Sequence, residues 1–426
     1  MTIAFGVFCI VAFLLLAVPI GFALGLAGIV SLSTLVPDRA ILALMTKVFH
    51  ENTANSLILT IPMFVLMAEF LGAGGVAEDL LLACNRLMGR IRGGMAMACI
   101  LAGTVHAAAT GSSSASAASL ARASFPAMMK AGYKPALAVG AISIAGTLAI
   151  MIPPSVAFVL FGLMTETSVG KLFLAGIIPG LITALGYIIT ISVILWFKPE
   201  LGPEPGREAV VASGQHNKGA VWPMMLLIVL ILGGLYGGLA TPTEISAIGA
   251  IGALVISMST GRMTRAGFIE AIAATMRIST MIIVIIVGAH FLGYFMSFSK
   301  ITDAMLAWTA QSGLSPTNVM LLVVFIYLVL GMVLDQGAII ILTAPISTAL
   351  MIKLGYDPIW WGVVIIKTAE IGLVHPPIGV VLFVTSAATK TDLKTCFYGV
   401  IPFLVTELLI LGLLLACPQI SLWILQ

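Results

Sequence analysis

Two copies of one pattern, 223 residues apart, constrain this chain more than any other feature. Gly132-Tyr133-x-Pro135 recurs as Gly355-Tyr356-x-Pro358, and Pro153-Pro154 recurs as Pro376-Pro377 (355 − 132 and 376 − 153). The same offset lays Ser112–Ser114 on Asp335–Gly337. Farther upstream, Phe70-Leu71-Gly72 returns as Phe291-Leu292-Gly293 at an offset of 221. Matches in register over this much chain imply a duplicated module.

Each copy is apolar and interrupted twice. The sharpest interruption is Ala109–Leu120, which holds Thr110, Gly111, Ser112, Ser113, Ser114 and Ser116. Small hydroxyl residues beside glycine break a helix and present oxygens and bare backbone. At hydrocarbon depth, irregular backbone survives only where protein buries it or where it lines a polar cavity. The stretch therefore reads as the tip of a membrane hairpin. Small residues also suit close helix packing in membranes, so on this stretch alone both readings stand.

Composition supports the membrane setting. Of 426 residues, 60% are hydrophobic and only 9% charged, against about 25% charged in soluble domains. With a mean hydropathy of +1.17, this is a polytopic membrane protein, and its length predicts roughly ten membrane segments. The net charge of +3 gives no argument for nucleic acid, and none is expected as a partner. Cys9, Cys84, Cys99, Cys396 and Cys417 are scattered without CxxC or a histidine cluster, so they read as small apolar residues. The opening MTIAFGVF has no basic n-region and runs on as a retained first helix.

Charge placement predicts topology. Ile3–Leu35 reads as a first span, with a bend near Pro19, and Pro37–Asn55 as an interfacial amphipathic helix. Ser56–Gly75 crosses next, ahead of a loop with Arg86, Arg90 and Arg92. Gly94–Met129 is the serine-rich hairpin, followed by Lys130 and Lys134. Basic flanks on both sides place both hairpin ends in the cytoplasm. Pro135–Met164 is broken at Pro153-Pro154, and Leu172–Phe197 returns. Lys198–Gly219, rich in Pro, Gly and Glu, reads as a flexible cytoplasmic linker between residues 1–197 and 220–426. In the second half, Thr241–Glu244 predicts a turn with a helix cap. Val319–Leu354 is a second hairpin, broken at Leu334–Gly337 and entering from the outer face. Pro358–Ala388 is broken at Pro376-Pro377, and Phe397–Cys417 is the last span. The expected orientation is N-terminus cytoplasmic, C-terminus periplasmic.

Hairpins that enter from opposite faces make the repeats inverted, the usual construction of a secondary transporter. A duplication without transport is the alternative. The four interruptions, near 110–116, 146–155, 334–337 and 372–377, would meet near the midplane. Proline lacks an N–H and frees the carbonyl four residues back. On this count Pro153 and Pro154 release Ala149 and Ile150, while Pro376 and Pro377 release Gly372 and Leu373. Such oxygens, with tip hydroxyls and glycine carbonyls, suit a hard cation such as sodium. Half helices starting near Ser113 and Ser155 would point partial positive charge at an anion. Kinks that hold no ligand are also common in membrane helices.

Ionisable residues inside apolar runs are Glu69, His106, His290, Asp335, Lys367, Glu370, His375 and Glu407. Each needs a partner or a role. Lys367 and Glu370, at i and i+3, suit a mutual structural pair, whereas Asp335 at a tip suits function. The chain has no HExxH, GxSxG or P-loop, so it is expected to be neither an enzyme nor driven by its own nucleotide site.

Pro19–Gly28 (PIGFALGLAG), Ala109–Ser119 (ATGSSSASAAS), Gly146–Ser155 (GTLAIMIPPS), Gly237–Ala250 (GGLATPTEISAIGA), Leu334–Ile346 (LDQGAIIILTAPI) and His375–Phe383 (HPPIGVVLF) together resemble the DctM type of large membrane subunit. That subunit belongs to tripartite ATP-independent periplasmic (TRAP) transporters. The likeness runs over essentially the whole chain. It implies an elevator-type transporter, in which a domain of two hairpins and two broken helices slides against a scaffold. The substrate would be an organic anion such as a dicarboxylate, keto acid or sugar acid like sialic acid. It would be held by Ser113, Ser116, Pro154, Ser155, Asp335 and Gln336. Sodium, two ions or more, would be held by Gly111, Ser112, Ser114, Gly146, Ala149 and Pro153, and by Gly337, Gly372, Pro376 and Pro377. The implied partners are a small membrane subunit and a periplasmic substrate-binding protein at the bacterial inner membrane. The alternative is a stand-alone dicarboxylate carrier or sodium/proton antiporter.

Overall fold

A computed structural model describes residues 2–88, 91–203, 221–332 and 334–425. Every regular element among them is helical. Seven helices are long and apolar enough to cross a membrane: Ser56–Ala73, the interrupted Pro135–Thr165, Val169–Phe197, Pro242–Ser259, Arg265–Phe298, Gln336–Lys353 and Leu393–Ala416. Roughly ten were expected. Other apolar helices stop short because proline and glycine cut them. Ile20–Leu32 has 13 residues, which span about 20 Å against a hydrocarbon core of about 30 Å.

The first expected span, Ile3–Leu35, is corrected. It divides into Thr2–Leu15 and Ile20–Leu32, and the two pack on each other. A Cβ at Gly6 would meet both Ser31 Oγ, at 3.3 Å, and the Phe295 ring. The chain therefore folds back around Pro19, and its start lies beside the end of the second helix. Of the linker Lys198–Gly219, residues 204–219 lie outside the described residues, as does Arg90.

Contacts sort the helices into two bodies. In the first, Ile20–Leu32 lies along Arg265–Phe298, and Thr60–Ala73 lies beside both Pro242–Ser259 and Arg265–Phe298. Small residues permit the approach: a Cβ on Gly28 would stand 2.6 Å from the Leu292 nitrogen. Hydrogen bonds tie the Thr60–Ala73 helix to its neighbour, Thr60 to Thr243 at 2.9 Å and Ser257 Oγ to the Phe70 carbonyl at 2.5 Å. The expected turn at Thr241 is a full capping box with Glu244. Asp38–Ala54 buries only Ile41, Val48 and Asn52, one stripe of an amphipathic helix.

The second body centres on Pro135–Met151, around which Gly94–Thr110, Ser113–Ala131 and Leu393–Ala416 pack. Its contacts also rest on small residues. A Cβ at Gly146 would fall 2.6 Å from Ala117 Cβ, and one at Gly399 would overlap the Ala136 carbonyl oxygen. Overpacking a dense interior costs about 1–3 kcal/mol. Gly399→Val should therefore lower the melting temperature of the detergent-purified protein, with Gly412→Val, where nothing lies within 4 Å, as the neutral control.

The two hairpins are Gly94–Thr110 with Ser113–Ala131, and Pro316–Gly331 with Gln336–Lys353. The ends of the first lie at the basic face. There Arg92 donates to the Pro199 carbonyl at 3.0 Å and the Lys134 N–H to the Leu201 carbonyl at 3.0 Å. The far end of the second is tied elsewhere, with Lys353 paired to Asp303 at 3.0 Å. Two broken helices accompany them, Pro135–Met151 with Val156–Thr165 and Pro358–Gly372 with Val380–Thr389. Both Pro-Pro bonds, 153–154 and 376–377, are cis.

Candidate functional site

The hairpin tips touch. Ser113 and Gln336 each open a helix, and the Ser113 hydroxyl donates to Gln336 Oε1 at 3.4 Å. These residues stand 223 apart, the offset of the duplicated pattern. Around them lies a cavity of about 170 Å³. The second body lines it with Thr110 to Ala115, Val156, Leu160, Asp335 to Gly337, Ile341, Leu373 and Val380. The first body closes it with Val65, Ala68 and Glu69 of Thr60–Ala73, and with Ile278, Met281, Ile282 and Ile285 of Arg265–Phe298.

Four helices therefore begin at one cavity, at Ser113, Val156, Gln336 and Val380. The first N–H groups of a helix lack intrahelical partners, and the aligned peptide dipoles place partial positive charge there. An anion is the natural guest of such an arrangement. The tips differ, however. Asp335 Oδ1 accepts from the Ala338 N–H at 2.7 Å, so the second hairpin caps its own helix with a carboxylate. At the matching position, Ser112 makes no side-chain cap bond. The Ser155 hydroxyl also caps nothing and turns back to the Ile150 carbonyl at 2.6 Å. Of the four ends, the one at Gln336 therefore carries a side-chain cap, while those at Ser113 and Val156, and that at Val380 behind Gly379, carry none.

Gly111 shapes the first tip. Its φ is +57°, and a Cβ there would lie 3.2 Å from both the Pro154 carbonyl oxygen and the Val156 nitrogen. Only a residue without a side chain lets the tip press onto the break of the broken helix. In the second half, Gly331 and Gly372 bring hairpin and broken helix together, with a Cβ on Gly372 placed 2.5 Å from Gly331 Cα.

Of the residues singled out from sequence, Gly111, Ser112, Ser113, Ser114, Asp335, Gln336 and Gly337 line the cavity. Pro154 and Ser155 lie directly behind Gly111. Ser116 is fully buried, without a hydrogen-bond partner for its hydroxyl among the described residues. Gly146 packs on Ala117, and Ala149 is buried inside its helix. Pro153 is buried, whereas Pro376 and Pro377 are exposed, so the two breaks are not equally covered.

The expected set of free carbonyls is corrected. The Ile150 oxygen accepts from Ser155, Leu373 accepts from the Val381 N–H at 3.1 Å, and Gly372 accepts from the His375 N–H at 3.2 Å. Three of the four oxygens counted as released are bonded within the chain. Buried backbone groups rarely stay unpaired.

Sequence reasoning assigned no role to Glu69, Thr110, Ala115, Val156 or the apolar wall of Arg265–Phe298. Glu69 was visible as a charge in an apolar run. The wall had no signal, because its residues resemble every other lipid-length apolar stretch.

Lys367 lies away from the cavity, fully buried. It pairs with Glu370 at 2.9 Å as expected, and it also donates to Thr183 at 3.0 Å and pairs with Glu407. Each charge in this dry cluster therefore has a partner, the condition under which buried ions are tolerated.

Among the described residues the architecture is that of a multi-pass, all-helical membrane protein with broken helices meeting at one cavity. Its fold matches the solved Alcanivorax borkumensis YdaH transporter, with a TM-score of 0.66 over 90% of both chains at 16% identity. Residues 7–420 match the model of the tripartite ATP-independent periplasmic transporter, DctM component. The C4-dicarboxylate TRAP transporter large permease protein DctM of Pseudomonas aeruginosa is 35% identical over 400 residues, 94% of this chain and 92% of that protein. The protein of the same name from Vibrio cholerae is 31% identical, covering 100% of this chain and 97% of its own length. The isethionate TRAP transporter permease protein DctMQ of Oleidesulfovibrio alaskensis is also 31% identical, over 99% of this chain but 66% of that longer protein. The chain belongs to the DctM family of TRAP transporter large permeases, and it is a transporter subunit rather than an enzyme.

Proposed function

We propose that this chain imports an organic anion, a carboxylate first of all, across the bacterial inner membrane together with the downhill entry of sodium. One observation carries the reading: four helix N-termini converge on a single cavity where the two bodies meet. Relatives named for C4-dicarboxylates and isethionate support an anion. The carboxylate would face the uncapped first-turn N–H groups of Ser113 to Ala115, with Ser113 and Gln336 as polar neighbours. Sodium would take tip oxygens from Ser112, Ser114 and the Pro154 carbonyl, and Asp335 would offset cation charge at the second tip. The duplicated halves act as inverted repeats. The second body, with both hairpins and both broken helices, moves as an elevator against the first.

The basic face, with Arg92, Lys130, Lys134 and Arg262, would face the cytoplasm by the positive-inside tendency, and the C-terminus the periplasm. Gly6 lies beside Phe295, at the end of Arg265–Phe298 remote from Arg265. On that orientation the N-terminal end would lie on the periplasmic side, where one straight span would put it in the cytoplasm. A small membrane subunit and a periplasmic binding protein complete the system.

In proteoliposomes holding both membrane subunits, with the binding protein outside, radiolabelled succinate should accumulate only under an inward sodium gradient. Each sodium charge contributes about 2.3 kcal/mol per 100 mV. Accumulation that is indifferent to replacing sodium by potassium would remove the coupling. Uptake without the binding protein would favour a stand-alone carrier.

A further inference from the structure

The tip cavity continues into the protein. Ala68, Glu69, Thr110 and Ala115 line both it and a second cavity of about 380 Å³. The second cavity adds His106, Ser119, Arg122 and Glu270. Arg122 in turn lines a third cavity, of about 360 Å³, together with Glu78, Lys130 and Arg262. The series runs from the tips to the basic face.

Its two walls belong to different bodies. The first hairpin supplies His106, Thr110, Ser119, Arg122 and Lys130, and the opposing body supplies Glu69, Glu270 and Arg262. Arg262 is committed, pairing with Asp79 at 3.0 Å and donating to the Gly75 carbonyl at 2.8 Å. Arg122 is exposed and has no carboxylate within ion-pair distance among the described residues. His106 is only 1% exposed, yet neither ring nitrogen has a hydrogen-bond partner among the described residues. A buried imidazole without partners is costly, and its place on the cavity wall offers an N–H to a passing ligand.

We propose that this series of cavities is the release route on the basic side and that Arg122 is a transient carboxylate-binding station along it. The proposal rests on the anion reading above. Arg122 faces Glu69 and Glu270 across the second cavity. A departing carboxylate binds the unpaired guanidinium between them, with His106 as a second donor. The two acids compete for the same cation, which keeps the station weak and returns the anion to water. At the mouth Arg262 is neutralised by Asp79 and Glu78, so Lys130 and Arg122 are the cations left to meet an anion there.

The test reads charge preference without transport. Ser119→Cys places a thiol in the second cavity, in a Cys417→Ser background, since the other four cysteines are buried. Inside-out vesicles of the complex are treated with a sulfonate-bearing or a trimethylammonium-bearing methanethiosulfonate. The anionic reagent should react about tenfold faster, a factor within reach of local charge. Arg122→Gln should cut that ratio at least about fivefold, and Arg122→Lys should restore it. Glu69→Gln with Glu270→Gln should raise it, and excess succinate should slow the reaction. No labelling by either reagent, a preference for the cation, or a ratio that Arg122→Gln leaves within that margin would each overturn the proposal. Sodium-independent uptake would remove the coupling and leave this result standing. A charge-blind thiol would remove the station and leave the coupling standing.

Discussion

Replacing Lys367 by methionine is expected to destabilise the protein by about 3–5 kcal/mol, the usual cost of stripping one partner from a buried ion pair. Lys367, Glu370 and Glu407 are all fully buried, and Lys367 is the shared partner of both carboxylates. Without it two carboxylates stand in a dry interior, and Thr183 loses its bond to the ammonium. The cluster joins three helices, Val169–Phe197, Pro358–Gly372 and Leu393–Ala416, so the damage would spread beyond one side chain. Thermal denaturation followed by fluorescence-detected size exclusion reads the loss. A triple variant, Lys367→Met with Glu370→Met and Glu407→Met, should recover most of the melting temperature. Replacing a whole buried ion cluster by hydrophobic residues of similar volume is often neutral. An unchanged melting temperature in the single variant, or no recovery in the triple one, would refute this account.

The second large effect is on transport. Gly111→Val should lower the sodium-coupled succinate uptake proposed above at least about a hundredfold, equivalent to about 2.7 kcal/mol at 1.36 kcal/mol per tenfold. Two costs combine. Left-handed backbone disfavours any residue with a Cβ by about 1–2 kcal/mol, and a β-branched residue is a pronounced outlier there. The new side chain would also meet the Pro154 carbonyl and the Val156 nitrogen at 3.2 Å. Relief requires the tip to lift off the break, which parts the helix ends that line the cavity. Gly337→Ala is the control, because its nearest neighbours lie at 3.5 and 3.8 Å and its φ is not positive. That variant should keep uptake within a few fold. Both are compared at equal amounts of protein in the membrane. Wild-type uptake by Gly111→Val would show that tip and break need not stay in contact.

Much of this architecture was legible where local chemistry forces the backbone. Gly-Ser runs and paired prolines cannot continue a helix, so the four breaks lie at or within a few residues of where they read. Thr241 with Glu244 is a capping signature, and Lys367 with Glu370 is a one-turn pair. What escaped depends on contacts between distant segments. Glu407 joins Lys367 from 40 residues away, and no spacing rule links them. The fold-back at Pro19 was hidden because a proline in an apolar run permits either a kinked span or a reversal. Only packing of Gly6, Ser31 and Phe295 decides between them. Counting carbonyls four residues before each proline assumed that a broken helix leaves its oxygens idle. Ser155, His375 and Val381 instead turn back to occupy them.

The wall that closes the tip cavity has one more consequence. Apart from Glu69, its side chains are hydrocarbon or thioether: Val65, Ala68, Ile278, Met281, Ile282 and Ile285. Such a surface forms no directional bonds, so a cargo resting against it gains and loses little as the surface slides past. On the elevator reading proposed above, the groups that would grip the cargo ride together on the opposing body. Grip strength would then be nearly equal whichever way the chamber opens, and the direction of net flow would follow the gradients outside rather than any bias within the carrier.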